Sequence, residues 1–162
     1  GLSGVIIAAV VFTKFRAIPF WQFSDAIACS APLGLLLVRV ANFINGELYG
    51  RVTNMPWGMI FPSGGSEPRH PSQLYEAFLE GVVLFVILYF LSRNDHVRER
   101  TGLLTGIFMI GYAAARGAVE FVRQPDAHLG LLAGGLTMGQ WLTIPIFLFG
   151  LYLIFRSHRT SL

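Results

Sequence analysis

Polar side chains interrupt the long apolar runs of this chain at few places, and those places are patterned. Apolar segments can be drawn at 1–12, about 24–44, 77–92, 102–122 and 137–155, against a need for ~20 apolar residues per bilayer crossing. The third is short and carries Glu80 inside it. Lys14 and Arg16 follow the first segment. Arg93, Arg98 and Arg100 separate the third from the fourth, and Arg156, His158 and Arg159 follow the fifth. These basic clusters alternate with the loops 45–76 and 123–136. Basic loops stay on the cytoplasmic side, so 13–23, 93–101 and the C-terminus are expected there. The loops 45–76 and 123–136, and the chain's start, are then expected to face outward. Trp21, Trp57 and Trp141 lie near segment ends, as interfacial aromatics do. The expected fold class is all-α, a polytopic transmembrane helix bundle of about five spans, the first truncated, with a long outer loop at 45–76. Residues 1–162 read as one integral membrane domain without internal repeats.

The fourth segment, GLLTGIFMIGYAAARGAVEFV, is apolar enough to cross a bilayer, yet it carries charge. Tyr112, Arg116, Glu120 and, just past its end, Arg123 recur at i, i+4, i+8 and i+11, which places all four on one helical stripe. A charge at the bilayer centre costs at least ~2.5–3.5 kcal/mol. Arg116 and Glu120 sit one turn apart and can pair. The stripe is either a salt bridge that locks two helices together or a polar site inside the membrane.

Composition supports the membrane assignment. Of 162 residues, 54% are hydrophobic and 13% charged, where soluble domains carry about 25% charged residues. The mean hydropathy is +0.59. The net charge of +3 is no nucleic-acid signal, because the basic residues sit in loops beside spans. GLSGVIIAAVVF at the start has no basic n-region and no cleavage site, so it is not a signal peptide. It reads as the end of a span, with the N-terminal part of the parent expected to be missing. The single cysteine, Cys29, excludes a disulfide framework and a cysteine metal site; it is expected to be a small core residue. No metal or nucleotide motif is present, so neither a metal nor a cofactor is expected.

Two further constellations carry candidate chemistry. VRVANFINGELYGR, at the end of the second segment, places Arg39 and Asn42 at i, i+3 on one helix face, with Asn45, Gly46 and Glu47 continuing outward. Arg39 alone could snorkel to the interface. With two asparagines and a glutamate beside it, it suggests a head-group site, since the guanidinium fork matches a phosphate. In RHPSQLYEA, Ser72 is positioned to cap a helix beginning at Gln73, which makes it structural and not a nucleophile. His70 has no partner in a hydrolytic pattern; it either hydrogen-bonds within the loop or transfers a proton at the outer surface. The loop 45–76 is rich in Gly, Pro and Asn and is long enough to suggest a functional loop over a site.

Together, VRVANFINGELYGR, RHPSQLYEAFLEG and GYAAARGAVEFVRQPD closely resemble, in order and over essentially the whole chain, the bacterial phosphatidylglycerol–prolipoprotein diacylglyceryl transferases. The resemblance implies a multi-pass enzyme of the bacterial inner membrane, with its site near the periplasmic leaflet and the loop 45–76 in the periplasm. Such an enzyme moves the diacylglyceryl group of phosphatidylglycerol to the lipobox cysteine of prolipoprotein signal peptides. It implies head-group binding by Arg39, substrate binding by Asn42, Asn45, Glu47, Gly50, Glu120 and Arg123, and catalytic roles for Tyr112 and Arg116; the base is expected to be either a family histidine upstream of Gly1 or His70. Gln73, Tyr75 and Glu76 match the second motif without an assigned role. Its partners would be phosphatidylglycerol, prolipoproteins and membrane lipids, and no nucleic acid. Two departures stand out. Val38 replaces the usual glycine before the arginine, and Ala41 one often found before the first asparagine. The family's His-Gly-Gly segment would lie upstream of Gly1, so this stretch alone is expected to be inactive. The rival expectation is a non-enzymatic membrane protein that binds or transports anionic lipids.

Overall fold

The computed structural model describes residues 2–124 and 137–159. All regular structure there is helical: α1 (Leu2–Arg16), α2 (Phe20–Ile44), α3 (Ser72–Glu76), a π-helical stretch (Ala77–Val83), α4 (Leu84–Ser92), α5 (Asp95–Arg98), α6 (Leu103–Val119) and α7 (Met138–Arg159). The middle three run on without a break as one helix, Ser72–Ser92. That helix, α2 (Phe20–Ile44) and Met138–His158 are long and apolar enough to cross a membrane, and α6 is a shorter apolar helix. The chain is a multi-pass helical membrane protein.

The Ser72–Ser92 helix lies deepest: 33% of its most apolar stretch is buried, against 11% in α2 and 17% in α7. Leu84 and Leu88 from it meet Leu104 of α6 in a small core, on which Cys29, Ile107, Phe108 and Tyr112 pack. Cys29 is thus a partly buried packing residue. The outward faces keep large apolar side chains exposed, such as Leu37, Phe90, Leu148 and Phe155, as a bundle solvated by lipid requires. Pro32 and Pro145 lie inside α2 and α7, where membrane helices tolerate them.

The basic segments gather at one end of the bundle. The guanidinium of Arg156 stands 4.4 Å above the Trp21 ring, Gly102 lies against the same ring, and Arg100 Nη1 is 3.1 Å from His158 Nδ1. This end also holds a feature the sequence pattern did not flag. Asp25 of α2 is buried and accepts from the Gly102 and Thr105 backbone N–H groups at 2.7 and 2.8 Å, and from the Thr105 hydroxyl at 2.6 Å. A carboxylate from one helix therefore caps the N-terminus of another, satisfying orphan donors and complementing the helix dipole.

At the opposite end, residues 45–71 fold back on themselves. Gly50 N–H donates to the His70 carbonyl (2.8 Å), His70 N–H to Arg51 (3.0 Å), and Arg51 N–H to Val122 (2.9 Å). Phe61 is buried beneath Tyr49 and Phe43. Arg69 lies 5.0 Å from the Tyr49 ring centroid and donates to the Gly64 carbonyl at 2.9 Å and to Gln124. The long loop is therefore an organised cap with its own packing.

Several expected boundaries move. Helix α1 continues to Arg16 and α2 begins at Phe20, so the segment 13–23 is mostly helical; only a tight turn at Ala17 (φ 52°) separates the two. The third span starts five residues early, at Ser72. Ser72 does not cap it: no side chain caps this terminus, and the Ser72 hydroxyl donates instead to the Leu48 carbonyl at 3.1 Å. Helix α6 ends at Val119, with Glu120 as its C-cap, so Arg123 stands beyond the helix and not on its stripe. The loop 123–136 lies, beyond Gln124, outside the described residues.

Candidate active site

Beside the small Ser72, the start of the Ser72–Ser92 helix carries three long polar side chains that are almost wholly buried: Gln73 (0% exposed), Glu76 (1%) and Glu80 (0%). Two carboxylates at such depth need charged partners, and three arginines supply them. Arg39 of α2 brings Nε within 2.9 Å of Glu76 Oε2, an ion pair without hydrogen-bond alignment, and Nη2 within 3.5 Å of Glu80 Oε2. Arg116 of α6 hydrogen-bonds through Nη1 to Glu76 Oε1. Arg123, from the turn after α6, reaches the same oxygen at 3.3 Å. Arg116 Nη2 also lies 3.3 Å from Glu120 Oε2. Three guanidinium groups and three carboxylates thus share one desolvated cluster, with no net formal charge when all are ionised.

Local structure explains the convergence. Glu76 and Glu80 both reach Arg39 across the onset of the π-helical stretch Ala77–Val83. Such stretches are rare and concentrate at functional sites. Gly50 fixes the neighbouring backbone. A Cβ there would lie 2.6 Å from the Val122 carbonyl oxygen and 2.7 Å from the His70 Cβ. Only glycine lets the loop, His70 and the segment after α6 cross so closely, and Arg123 is bridged to Gly50 at that crossing. Arg51 Nε adds a 3.0 Å bond to the Arg123 carbonyl.

The residues singled out by the sequence divide into two groups. Arg39, Arg116, Glu120 and Arg123 meet in the cluster. Arg39 does not snorkel outward; its side chain is 14% exposed and faces two acids. Arg116 and Glu120 do pair, but Glu76 is a second partner of Arg116. Tyr112, one turn before Arg116, is half-buried and stacks on Phe108 with centroids 6.1 Å apart. Asn42 is half-buried one turn beyond Arg39. Asn45 and Glu47 sit exposed past the end of α2 and bond to each other at 3.3 Å. His70 is half-buried, its Nδ1 3.2 Å from the Tyr75 hydroxyl, which accepts from Trp57 Nε1 at 2.7 Å. Among the described residues, no group of three His, Cys, Asp or Glu side chains could hold a metal ion.

Glu76 is the hub that the sequence pattern left without a role. Gln73, Glu76 and Glu80 stand at i, i+3 and i+7, the same one-face periodicity that exposed the stripe on α6. Starting the span at 77 hid it. A separate apolar cavity of about 430 Å³, lined by residues such as Ile6, Phe20, Ile27, Phe108 and Phe149, lies toward the Trp21 end. It has no charged side chain in its wall and cannot serve the same chemistry.

Comparison with known proteins identifies the family. The family model described as prolipoprotein diacylglyceryl transferase matches residues 1–156, and the chain belongs to that family. Proteins named phosphatidylglycerol–prolipoprotein diacylglyceryl transferase are similar to it. One from Allorhizobium ampelinum is 52% identical over 162 residues, covering 99% of this chain and 56% of the relative. One from Paramagnetospirillum magneticum is 55% identical over 155 residues, covering 95% and 58%. One from Brucella anthropi is 51% identical over 162 residues, covering 99% and 58%. The chain therefore spans 56% to 58% of the length of these relatives.

Proposed function

We propose that this chain carries the head-group site of an enzyme that transfers the diacylglyceryl group of phosphatidylglycerol to the lipobox cysteine of a prolipoprotein. The observation that carries the proposal is the convergence of Arg39, Arg116 and Arg123 on one buried carboxylate, in a chain of this family. The thiolate is the nucleophile. Its sulfur bonds to the glyceryl carbon that carries the phosphate, the carbon–oxygen bond breaks, and glycerol phosphate leaves with the extra negative charge. Guanidinium groups fixed beforehand around that phosphate stabilise the charge as it develops.

The carboxylates hold the arginines in place. Each guanidinium offers five N–H donors, and the ion pairs described engage two nitrogens of Arg39, two of Arg116 and one of Arg123. Donors remain for a second anion. Tyr112 lies on the same face as Arg116, and Asn42 on the same face as Arg39; both are assigned to the substrate. Asn45, Glu47 and Gly50 support the site through the outer loop. His70, bonded to Tyr75 at the outer end, is a candidate to take the thiol proton. The alternation of basic segments supports a site toward the outer leaflet, which in the bacterial inner membrane is the periplasmic one. A lipid carrier would want the arginines but no thiol acceptor. The deciding experiment incubates the full-length protein with phosphatidylglycerol vesicles and a lipobox peptide. A diacylglyceryl mass gain on the cysteine supports the proposal, and none in folded protein refutes it.

A further inference from the structure

Gln73 is wholly buried at the first turn of the Ser72–Ser92 helix. Its Nε2 donates to the Glu47 carbonyl at 2.6 Å. Only the amide nitrogen can face a carbonyl oxygen, so the orientation of the amide is set. The other end, Oε1, is buried and meets no hydrogen-bond donor among the described residues. Native interiors seldom leave such an acceptor unmet, and each exception calls for an explanation.

Its position suggests one. Gln73 precedes Glu76 by three residues, so the two share a helix face. Glu76 gathers the three arginines assigned to the phosphate. The acceptor therefore stands about one turn outward from them, a rise of ~5 Å, comparable with the reach from phosphorus to a hydroxyl of a glycerol ester. We propose that Gln73 reads a head-group hydroxyl of an anionic lipid, its Oε1 accepting from an alcohol beyond the phosphate held by the arginine–glutamate cluster. An ammonium head group buried here would need a charged partner, and the carboxylates of Glu76, Glu80 and Glu120 are already committed to arginines. A neutral amide oxygen suits a neutral alcohol. Neither the family match nor the relatives' names assign Gln73 any role, and the inference rests on the transfer reading above.

The test compares two lipids that differ only in hydroxyls, phosphatidylglycerol and phosphatidylpropanol, with the full-length protein and a lipobox peptide. Wild type is expected to prefer phosphatidylglycerol by about tenfold or more in kcat/KM, as a site built to bond a substrate hydroxyl does. In Gln73→Met, which keeps length and volume, the ratio should collapse to near one with the peptide KM unchanged. A ratio unchanged in folded Gln73→Met overturns the inference. So does a rise in peptide KM with lipid preference intact, which would turn the acceptor toward the peptide. If Gln73→Met does not fold, wild type alone decides, because equal use of both lipids removes any hydroxyl reader. If wild type transfers nothing, the transfer reading falls on its own. Competition binding of the two short-chain lipids then still decides for Gln73, with equal displacement against it.

Discussion

Arg39 and Glu76 lie 2.9 Å apart, Nε to Oε2, across the contact between α2 and the Ser72–Ser92 helix. One carboxylate thereby ties a signature arginine to the helix that follows the long outer loop, and through its other oxygen to Arg116 and Arg123. Glu76 is both a structural pin and the element that positions three guanidinium groups.

Removing Glu76 should leave Arg123 without its carboxylate and Arg39 and Arg116 with one acid each, Glu80 and Glu120. Glu76→Ala is expected to lower stability by ~3–5 kcal/mol, the cost of breaking a buried pair. Glu76→Gln, which keeps shape and one acceptor, should lose less. Thermal denaturation of the purified full-length variants in detergent checks this. A Glu76→Ala protein as stable as wild type would mean that the cluster does not hold the bundle together.

Arg39→Ala should abolish transfer, and Arg39→Lys should leave it badly impaired. A lysine ammonium keeps the charge but cannot span Glu76, Glu80 and a phosphate as a planar fork does. The assay is thioether formation on a lipobox peptide. Near-normal rates for both variants would remove Arg39 from the site.

Gly139 controls Glu120 from α7. A Cβ there would lie 2.9 Å from the Glu120 carboxylate, so Gly139→Ala should displace it from Arg116. Transfer is expected to fall several-fold while the protein still folds. Glu120→Gln should retain measurable activity, because Glu76 also holds Arg116. Complete inactivity of folded Glu120→Gln at every pH would assign the carboxylate a chemical role instead.

The two ends of the bundle make a topology prediction. Asp95, exposed in α5, should be cytoplasmic, and Gly64 periplasmic. Single cysteines at each position, probed with a membrane-impermeant thiol reagent in spheroplasts, decide this. Labelling at Asp95 in intact spheroplasts would reverse the orientation.

The helices and their alternation were legible because lipid demands long apolar runs and basic loops mark their ends. The stripe on α6 was legible because 3.6-residue periodicity survives in sequence. Glu76 was obscured by a span drawn five residues short. The path of Arg123 was not legible at all: it reaches Glu76 through a backbone crossing at Gly50, a tertiary contact that no periodicity encodes. Asp25 escaped notice for the same reason, since it caps a helix 77 residues away.

The central claim is that the buried arginine–glutamate cluster is where the lipid phosphate is held during transfer. Arg116→Ala in the full-length protein tests it most directly, because Glu76 keeps Arg39 and Arg123 as partners and the variant should be recovered folded. The measurement is the rate of diacylglyceryl transfer from phosphatidylglycerol vesicles to a lipobox peptide, with thermal stability recorded alongside. The account predicts a loss of about 100-fold or more in protein that melts cooperatively, in line with removal of a preorganised charge-stabilising donor. A folded Arg116→Ala protein that transfers at close to the wild-type rate would contradict it.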